Sequence, residues 1–178
     1  AENVTVVSHP KHSGNPCACG YICENTTEMD DTGHCPDCGE LLAQSKVTVN
    51  EETTYTTDFR YAVQNAVDGT TVTLLQNVKL PSYDEDNYNN NIYIQQGNFT
   101  IDWDGHILSG ATYNNLITIT QHASVTLKDS SESGDGGVRN TGGKAVCVNI
   151  LGSYNVTIKG GVYSPHVFKG DDCQGIFQ

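Results

Sequence analysis

The sequence predicts an all-β protein, a right-handed parallel β-helix with a short N-terminal capping helix and a small Cys-rich metal-binding module. The main observation is a pair of short alternating strands joined by a hinge of a few residues. It occurs at 92–102, 117–129 and 146–160 and, in degenerate form, at 72–80. Because each unit buries its apolar face only against its neighbours, strand pairs repeated every roughly 20 to 30 residues predict a solenoid.

Alternation of apolar and polar residues supports this prediction. Residues 117–120 read Ile-Thr-Ile-Thr, and residues 125–128 read Val-Thr-Leu-Lys. Successive side chains of a strand point to opposite faces, so we expect Ile, Val and Leu to point inward and Thr and Lys to face water. The eighteen Gly and the single Met and Trp also fit strands and turns better than helices.

The composition of the chain changes at about residue 44. Residues 1–44 contain five of the seven Cys and three of the six His and show little periodicity, which predicts a small separate module. Residues 45–178 are predicted to form the β-helix, with a helix near 57–68 that covers the first repeat. Because no capping device precedes Gln178, we expect the β-helix to continue beyond the chain or to be covered there by a partner.

Charge and hydropathy exclude several classes of function. The formal net charge is −12 and the nine Lys and Arg are not clustered, which excludes nucleic acid as a partner and disfavours anionic membranes. No apolar run approaches the roughly 20 residues of a membrane span, so no membrane insertion is expected. The polar start at Ala1 is typical of an exported chain after signal-peptide removal, which predicts a secreted or cell-surface protein.

The Cys-rich module contains a zinc-knuckle motif. Two residues separate Cys35 from Cys38, and Gly39 follows, as in turns whose backbone amides support two thiolates. We predict a structural zinc site, because four protein ligands leave no open position for substrate. The predicted ligands are Cys17, Cys19, Cys35 and Cys38, with Cys23, His34, His9 and His12 as alternates.

Two other interpretations of the cysteines remain open. An exported protein permits disulfides in the module, and a Cys-x-x-Cys pair is also a redox motif, although the βαβ pattern of redox enzymes is missing here. Cys147 and Cys173 lie 26 residues apart, close to one repeat. We expect them either to form a disulfide or to be small buried residues of the core.

From Tyr55 onward, the sequence resembles the β-helical repeat regions of large secreted and cell-surface proteins of Gram-positive anaerobes. The matching motifs are TVTLL at 71–75, DxxGHxLSG at 102–110, VTLKDSS at 125–131 and VTIKGGVYS at 156–164. A Cys-rich segment of the CPxCG type often precedes such regions. The resemblance implies a surface-exposed, structural or adhesive, pectate-lyase-like β-helix and carries no catalytic residues across.

Residues 170–173, Gly-Asp-Asp-Cys, resemble a motif of polygalacturonase-type glycoside hydrolases, in which two Asp activate water and protonate the leaving sugar oxygen. The resemblance implies Asp171 and Asp172 as catalytic candidates. The further Asp of that family is missing at 140–142, where the sequence reads Asn-Thr-Gly. A solvated turn or a cation ligand is therefore the alternative interpretation, and we assign no catalytic residue.

Two further groups of carboxylates are candidates for calcium. Asp102 and Asp104 are two residues apart, on one face of a strand, although a turn at Asp104 and Gly105 is the favoured interpretation. The polar segment 81–91 is expected to be a loop, which supplies either calcium ligands or, through its tyrosines, a surface for sugar rings. The candidate residues of this loop are Asp84, Glu85, Asp86, Tyr83 and Tyr88.

These observations lead to the hypothesis of an extracellular structural or adhesive surface protein rather than an enzyme. It is expected to self-associate end to end into a fibre or appendage, or to bind host or cell-surface glycans or proteins. The alternatives are a carbohydrate-active, polygalacturonase-like enzyme and a passive glycan-binding module.

Overall fold

The computed structural model describes Cys23 and residues 28–81, 91–111, 115–142, 146–152, 155–164 and 176–177. The chain divides into two compact units, Ala1–Ala43 and Gln44–Gln178. Several predicted site residues lie outside the described residues, so their roles stay predictions. They are His9, His12, Cys17, Cys19, Tyr83, Asp84, Glu85, Asp86, Tyr88, Asp171, Asp172 and Cys173.

The described part of the second unit contains twelve strands and one short helix. The first half comprises β1 (Ser45–Val49), β2 (Glu52–Thr56), α1 (Phe59–Gln64), β3 (Thr71–Leu74), β4 (Val78–Lys79), β5 (Ile92–Asp102) and β6 (Ile107–Gly110). The second half comprises β7 (Asn115–Lys128), β8 (Gly137–Asn140), β9 (Val146–Leu151), β10 (Asn155–Lys159), β11 (Val162–Ser164) and β12 (Ile176–Phe177).

The strands form two sheets. The first has eight strands in the order β12-β9-β7-β5-β3-β1-β2, and β10 also pairs with β7. The second has four strands in the order β11-β8-β6-β4. Pairs β1–β2 and β1–β3 are antiparallel, whereas every other pair among the described strands is parallel.

Successive sequence repeats pair in register within the first sheet. Val72 lies beside Ile101, Ile101 beside Leu127, and Leu127 beside Ile158. Alternation places these side chains on one face, and the first three are fully buried. The inward residues of both sheets belong to one hydrophobic cluster, to which Leu108 and Val138 of the second sheet contribute.

Helix α1 is shorter than the predicted 57–68. The side chain of Asp58 accepts a hydrogen bond from the Tyr61 amide at 2.8 Å and so caps the N-terminus, and Phe59, Ala62 and Val63 are buried. The helix ends at Gln64 because the following residues pair with β5: the Gly69 amide donates to Asn98 O at 2.8 Å. No helix in the described ranges combines the length and apolar character needed to cross a membrane.

The prediction of a right-handed parallel β-helix is wrong. The strands form two open sheets, neither of which closes on itself, and the first sheet ends in antiparallel pairs. Repetition predicts which residues of successive copies pair, and alternation predicts which face is buried. Two open sheets that share a core meet both requirements as well as a closed coil does, so the pattern could not distinguish them.

Candidate metal centre

A tight turn at Cys35–Gly39 presents two thiols on the same side. The Gly39 amide donates to Cys35 O at 2.8 Å, and the Cys35 amide donates to Glu40 O at 2.8 Å. Gly39 adopts a φ of +71°, in the left-handed region that favours glycine. An added Cβ would meet no atom within 4 Å, so backbone conformation and not space explains this glycine.

Cys23 joins the two thiols of the turn. The Sγ atoms of Cys23, Cys35 and Cys38 all lie within 4.8 Å of one another, and those of Cys23 and Cys35 are 3.6 Å apart. A disulfide requires about 2.05 Å between the sulfurs, so these three cysteines form no disulfide with one another. Cys23 and Cys35 are also buried, at 4% and 1% exposure.

The turn favours the thiolate form of Cys35. Burial raises the pKa of this thiol, but hydrogen bonds to its sulfur from the backbone amides of Cys38 and Asp37 outweigh that effect and lower the pKa below its ordinary value. Thiolates are the form of cysteine that binds metal ions. The turn is therefore preorganised for a metal ligand.

The spacing of the sulfurs fits a metal ion. In a tetrahedral zinc site with Zn–S distances of about 2.3 Å, two sulfurs lie roughly 3.8 Å apart. The 3.6 Å between Cys23 and Cys35 agrees with that value. These three cysteines could thus bind a metal ion as a group.

His34, an alternate ligand in the sequence, is not part of the group. Its Nδ1 lies 3.1 Å from both the hydroxyl and the carbonyl oxygen of Thr32. The carboxylate of Asp30 accepts hydrogen bonds from the His34 amide, the Thr32 amide and the Thr32 hydroxyl. These hydrogen bonds lower the pKa of Asp30, and the bond from the His34 amide has the largest effect. These contacts shape the loop that precedes the cysteine turn.

Sequence reasoning did not choose Cys23 as a first ligand. It selected Cys17 and Cys19 as the upstream pair, and both lie outside the described residues. A spacing signal was available: three residues separate Cys19 from Cys23, within the usual two to four, whereas one separates Cys17 from Cys19.

The structure shows what Asp102 and Asp104 contact. Asp102 is 5% exposed, and its Oδ2 lies 2.9 Å from Lys128 Nζ and accepts the Ser130 hydroxyl at 2.8 Å. Asp104 adopts a φ of +46° in the turn and also accepts the Ser130 hydroxyl, at 3.2 Å. The carboxylates therefore have structural contacts at the end of β5, and calcium there stays a prediction.

Cys147 is fully buried, and its Sγ lies 3.4 Å from Val138 O. Burial raises the pKa of this thiol to about 11, so it is uncharged at neutral pH. A disulfide with Cys173 stays a prediction, as does a catalytic role for Asp171 and Asp172.

Comparisons with protein-family models, with curated proteins and with solved structures find no significant match for this chain.

Proposed function

We propose that this chain is an extracellular structural or adhesive protein that associates with further copies of itself through two edge strands, β10 of the first sheet and β11 of the second. A structural zinc ion holds its Cys-rich unit. The proposal rests on one observation: Ile158 of β10 continues a row of residues that are buried in the earlier repeats, yet it is exposed.

Ile158 carries that observation. It pairs with Leu127 of β7, which is fully buried, yet Ile158 itself is 42% exposed. Val162 of β11 is 45% exposed as well, although it lies in the outward-facing row of its sheet, where it pairs with Gly137. Among the described residues, β10 pairs only with β7 and β11 only with β8, so each strand has backbone groups directed away from its partner. An edge with apolar side chains and unpaired backbone groups favours pairing with a strand of another molecule.

Zinc is the metal that we propose for the thiol group. Thiolate ligands at tetrahedral spacing favour zinc over calcium or magnesium, which prefer oxygen. We propose Cys19 as the fourth ligand, because its spacing from Cys23 is that of a ligand pair. Four thiolates form a closed site, whose contribution is to stabilise the unit and not to catalyse a reaction.

Two features support an extracellular location. The chain carries a net charge of −12, and its repeat motifs resemble those of secreted and cell-surface proteins. The exposed residues of β2 are Glu52, Thr53 and Thr54, which suits a solvated outer surface. No observation in the described residues favours the polygalacturonase-like alternative.

Sedimentation velocity over a range of chain concentrations tests the self-association. We expect dimers and larger species for the unmodified chain and a monomer for Ile158→Lys, because a charge in the edge must be desolvated on pairing. Tyr61→Lys is the matched control, since Tyr61 is a 64% exposed apolar residue on α1. A concentration-independent monomer for the unmodified chain, or equal association of Ile158→Lys, would exclude this edge.

A further inference from the structure

A groove on the outer face of the first sheet is lined by amide, hydroxyl, imidazole and apolar side chains. It measures about 520 Å³ and lies over the strands β5, β7 and β9. Tyr93 and Leu151 contribute exposed apolar surface, at 40% and 47% exposure. The lining residues, besides Thr120, are Tyr93, Gln95, Gln96, Gln121, His122 and Leu151.

A β-bulge creates the groove. Ile94 pairs with Ile119 and Gln96 pairs with His122, so β7 has one more residue than β5 between these pairs. The bulge directs two consecutive side chains of each strand outward: Gln95 and Gln96 are exposed on β5, as are Gln121 and His122 on β7. Bulges are enriched next to functional sites because they reorient side chains in this way.

Side-chain contacts order the groove. The Thr120 hydroxyl donates to Gln95 O at 3.2 Å, across the bulge. The Gln121 Nε2 lies 3.2 Å from the His122 Nε2, which orients the amide along the strand. The Gln121 amide and the Thr120 hydroxyl are thus held by contacts on a sheet and not on a loop, which reduces the entropy cost of binding.

The chemistry of the lining favours an uncharged, hydroxyl-rich ligand. Among the residues that the structure describes, no Asp, Glu, Lys or Arg lines the groove, although the whole chain contains nine basic and twenty-one acidic residues. Each Gln side-chain amide can donate hydrogen bonds through its NH₂ group and accept them through its oxygen, so one amide can bind two adjacent sugar hydroxyls. The Tyr93 ring and the Leu151 side chain can cover the C–H face of a sugar ring.

We infer that this groove binds a neutral oligosaccharide through the side chains of Tyr93, Gln95, Gln96 and Gln121. The inference rests on the proposed adhesive role, to which it adds a ligand class and a site. The sequence alone placed sugar binding at Tyr83 and Tyr88 instead, because a bulge between two strands leaves no composition signal.

Other ligand classes fit other surfaces better. An acidic ligand would be drawn to the outward face of the second sheet, where Lys79, Ser109 and Arg139 lie side by side in register. An extended peptide binds by adding to a free strand edge, but β7 pairs at Thr118 with Tyr93 on one side and Asn149 on the other. The groove therefore offers side chains and not backbone groups.

The inference can be tested on an oligosaccharide array. The array contains neutral oligosaccharides based on glucose, mannose, galactose and N-acetylglucosamine, together with uronate-containing counterparts. Calorimetric titration then measures Kd for each sugar that binds. We expect the unmodified chain to bind at least one neutral sugar. Tyr93→Ala and Gln121→Ala should each weaken Kd at least about tenfold. Tyr61→Ala, which removes an exposed tyrosine from α1, should leave Kd unchanged, and the emission of Trp103 verifies the fold of every variant.

Three results would overturn the inference: no binding of any neutral sugar, binding that Tyr93→Ala and Gln121→Ala leave intact, or binding of uronates alone that Lys79→Ala abolishes. Sedimentation of the same variants separates this inference from the proposed function. A chain that associates through β10 but binds no neutral sugar contradicts only the groove. A monomer that binds sugar through Tyr93 contradicts only the self-association.

Discussion

The indole Nε1 of Trp103 donates a hydrogen bond to the hydroxyl oxygen of Tyr163 at 3.2 Å, between residues 60 positions apart in the chain. Trp103 is fully buried and also packs against Phe59 of α1, with ring centroids 6.4 Å apart. The Tyr163 hydroxyl in turn donates to Gly160 O at 3.5 Å. One aromatic residue thus connects the helix at the start of the second unit with the strand β11 near its end.

Tyr163→Phe is expected to lower the free energy of unfolding by about 1 to 3 kcal/mol, because the buried indole N–H loses its acceptor. Urea unfolding followed by the emission of Trp103, the single tryptophan, measures this change. Tyr61→Phe, which alters a mostly exposed tyrosine, is the matched control and should change stability little. Equal stability of Tyr163→Phe and the unmodified chain would show that the hydrogen bond contributes nothing.

The same tyrosine predicts an alkaline response. Burial raises the pKa of Tyr163 to about 12, the Trp103 hydrogen bond opposes this, and the charges of Asp129 and Cys147 add to the rise. As the pH rises above 10, the tyrosine therefore loses its proton in the unfolded chain before it does so in the folded chain. The free energy of unfolding consequently falls between pH 10 and about 12, whereas this group leaves it constant below pH 10. Tyr163→Phe should remove that part of the decline in urea titrations.

Asp129→Ala is expected to destabilise the second unit by about 2 kcal/mol or more, since the carboxylate accepts several hydrogen bonds. Its Oδ1 accepts the Gly105 amide and the Ser131 hydroxyl, both at 2.9 Å, and its Oδ2 accepts the Gly136 amide at 2.7 Å. Asp135→Ala, in the same loop, is the matched control. Urea unfolding at pH 7 compares the two, and equal midpoints would contradict this role of Asp129.

These bonds also set the acid response of the unit. Burial raises the pKa of Asp129, but the hydrogen bonds from Gly105, Ser131 and Gly136 outweigh it and lower the pKa below 3.8. The stabilisation is hence present above about pH 4 and is lost as the pH falls through the lowered pKa. The difference in stability between the unmodified chain and Asp129→Ala should shrink in unfolding experiments below pH 4.

Gly136→Ala is expected to destabilise the fold by about 1 to 3 kcal/mol through overpacking. An added Cβ would lie 2.8 Å from both the Gly105 amide nitrogen and the Trp103 Cβ, and 2.9 Å from Asp129 Oδ1. Gly134→Ala is the comparison: it adopts a φ of +67° but has open space, so it should cost only backbone strain. A Gly136→Ala chain as stable as Gly134→Ala, with unchanged Trp103 emission, would contradict the steric argument.

The metal site is expected to hold one zinc ion per chain. Cys23→Ser, Cys35→Ser and Cys38→Ser should each lower zinc content severalfold in elemental analysis after dialysis against a weak chelator, because each removes a thiolate ligand. His34→Ala should retain the metal. Cys19→Ser should lose zinc while Cys17→Ser keeps it, and the reverse result would assign the fourth ligand to Cys17. Full zinc retention by Cys23→Ser would contradict the site.

The sequence was sufficient for the local parts of the molecule. The alternating segments 117–120 and 125–128, which the structure joins in the single strand β7, follow from alternation alone, because the two faces of a strand have different surroundings. The turn at Cys35 and Cys38 follows from a spacing that only a few backbone conformations satisfy. The place of Cys23 in the thiol group was less accessible, because Cys23 and Cys35 are twelve positions apart and that spacing does not determine whether their sulfurs meet.

Short-range pattern therefore identified the strand segments of the repeats, the start of the helix near Asp58 and the cysteine turn, because each depends on residues within a few positions of one another. It did not identify β2, β6 or β8. Long-range packing established that the strands form two open sheets and not a coil, that β7 carries a bulge opposite Gln95, and that Trp103 meets Tyr163. The free energy of burial depends on the apolar area that packing removes from water. Repeats with the same alternation can bury that area in more than one arrangement of strands. Only the packed structure distinguishes those arrangements.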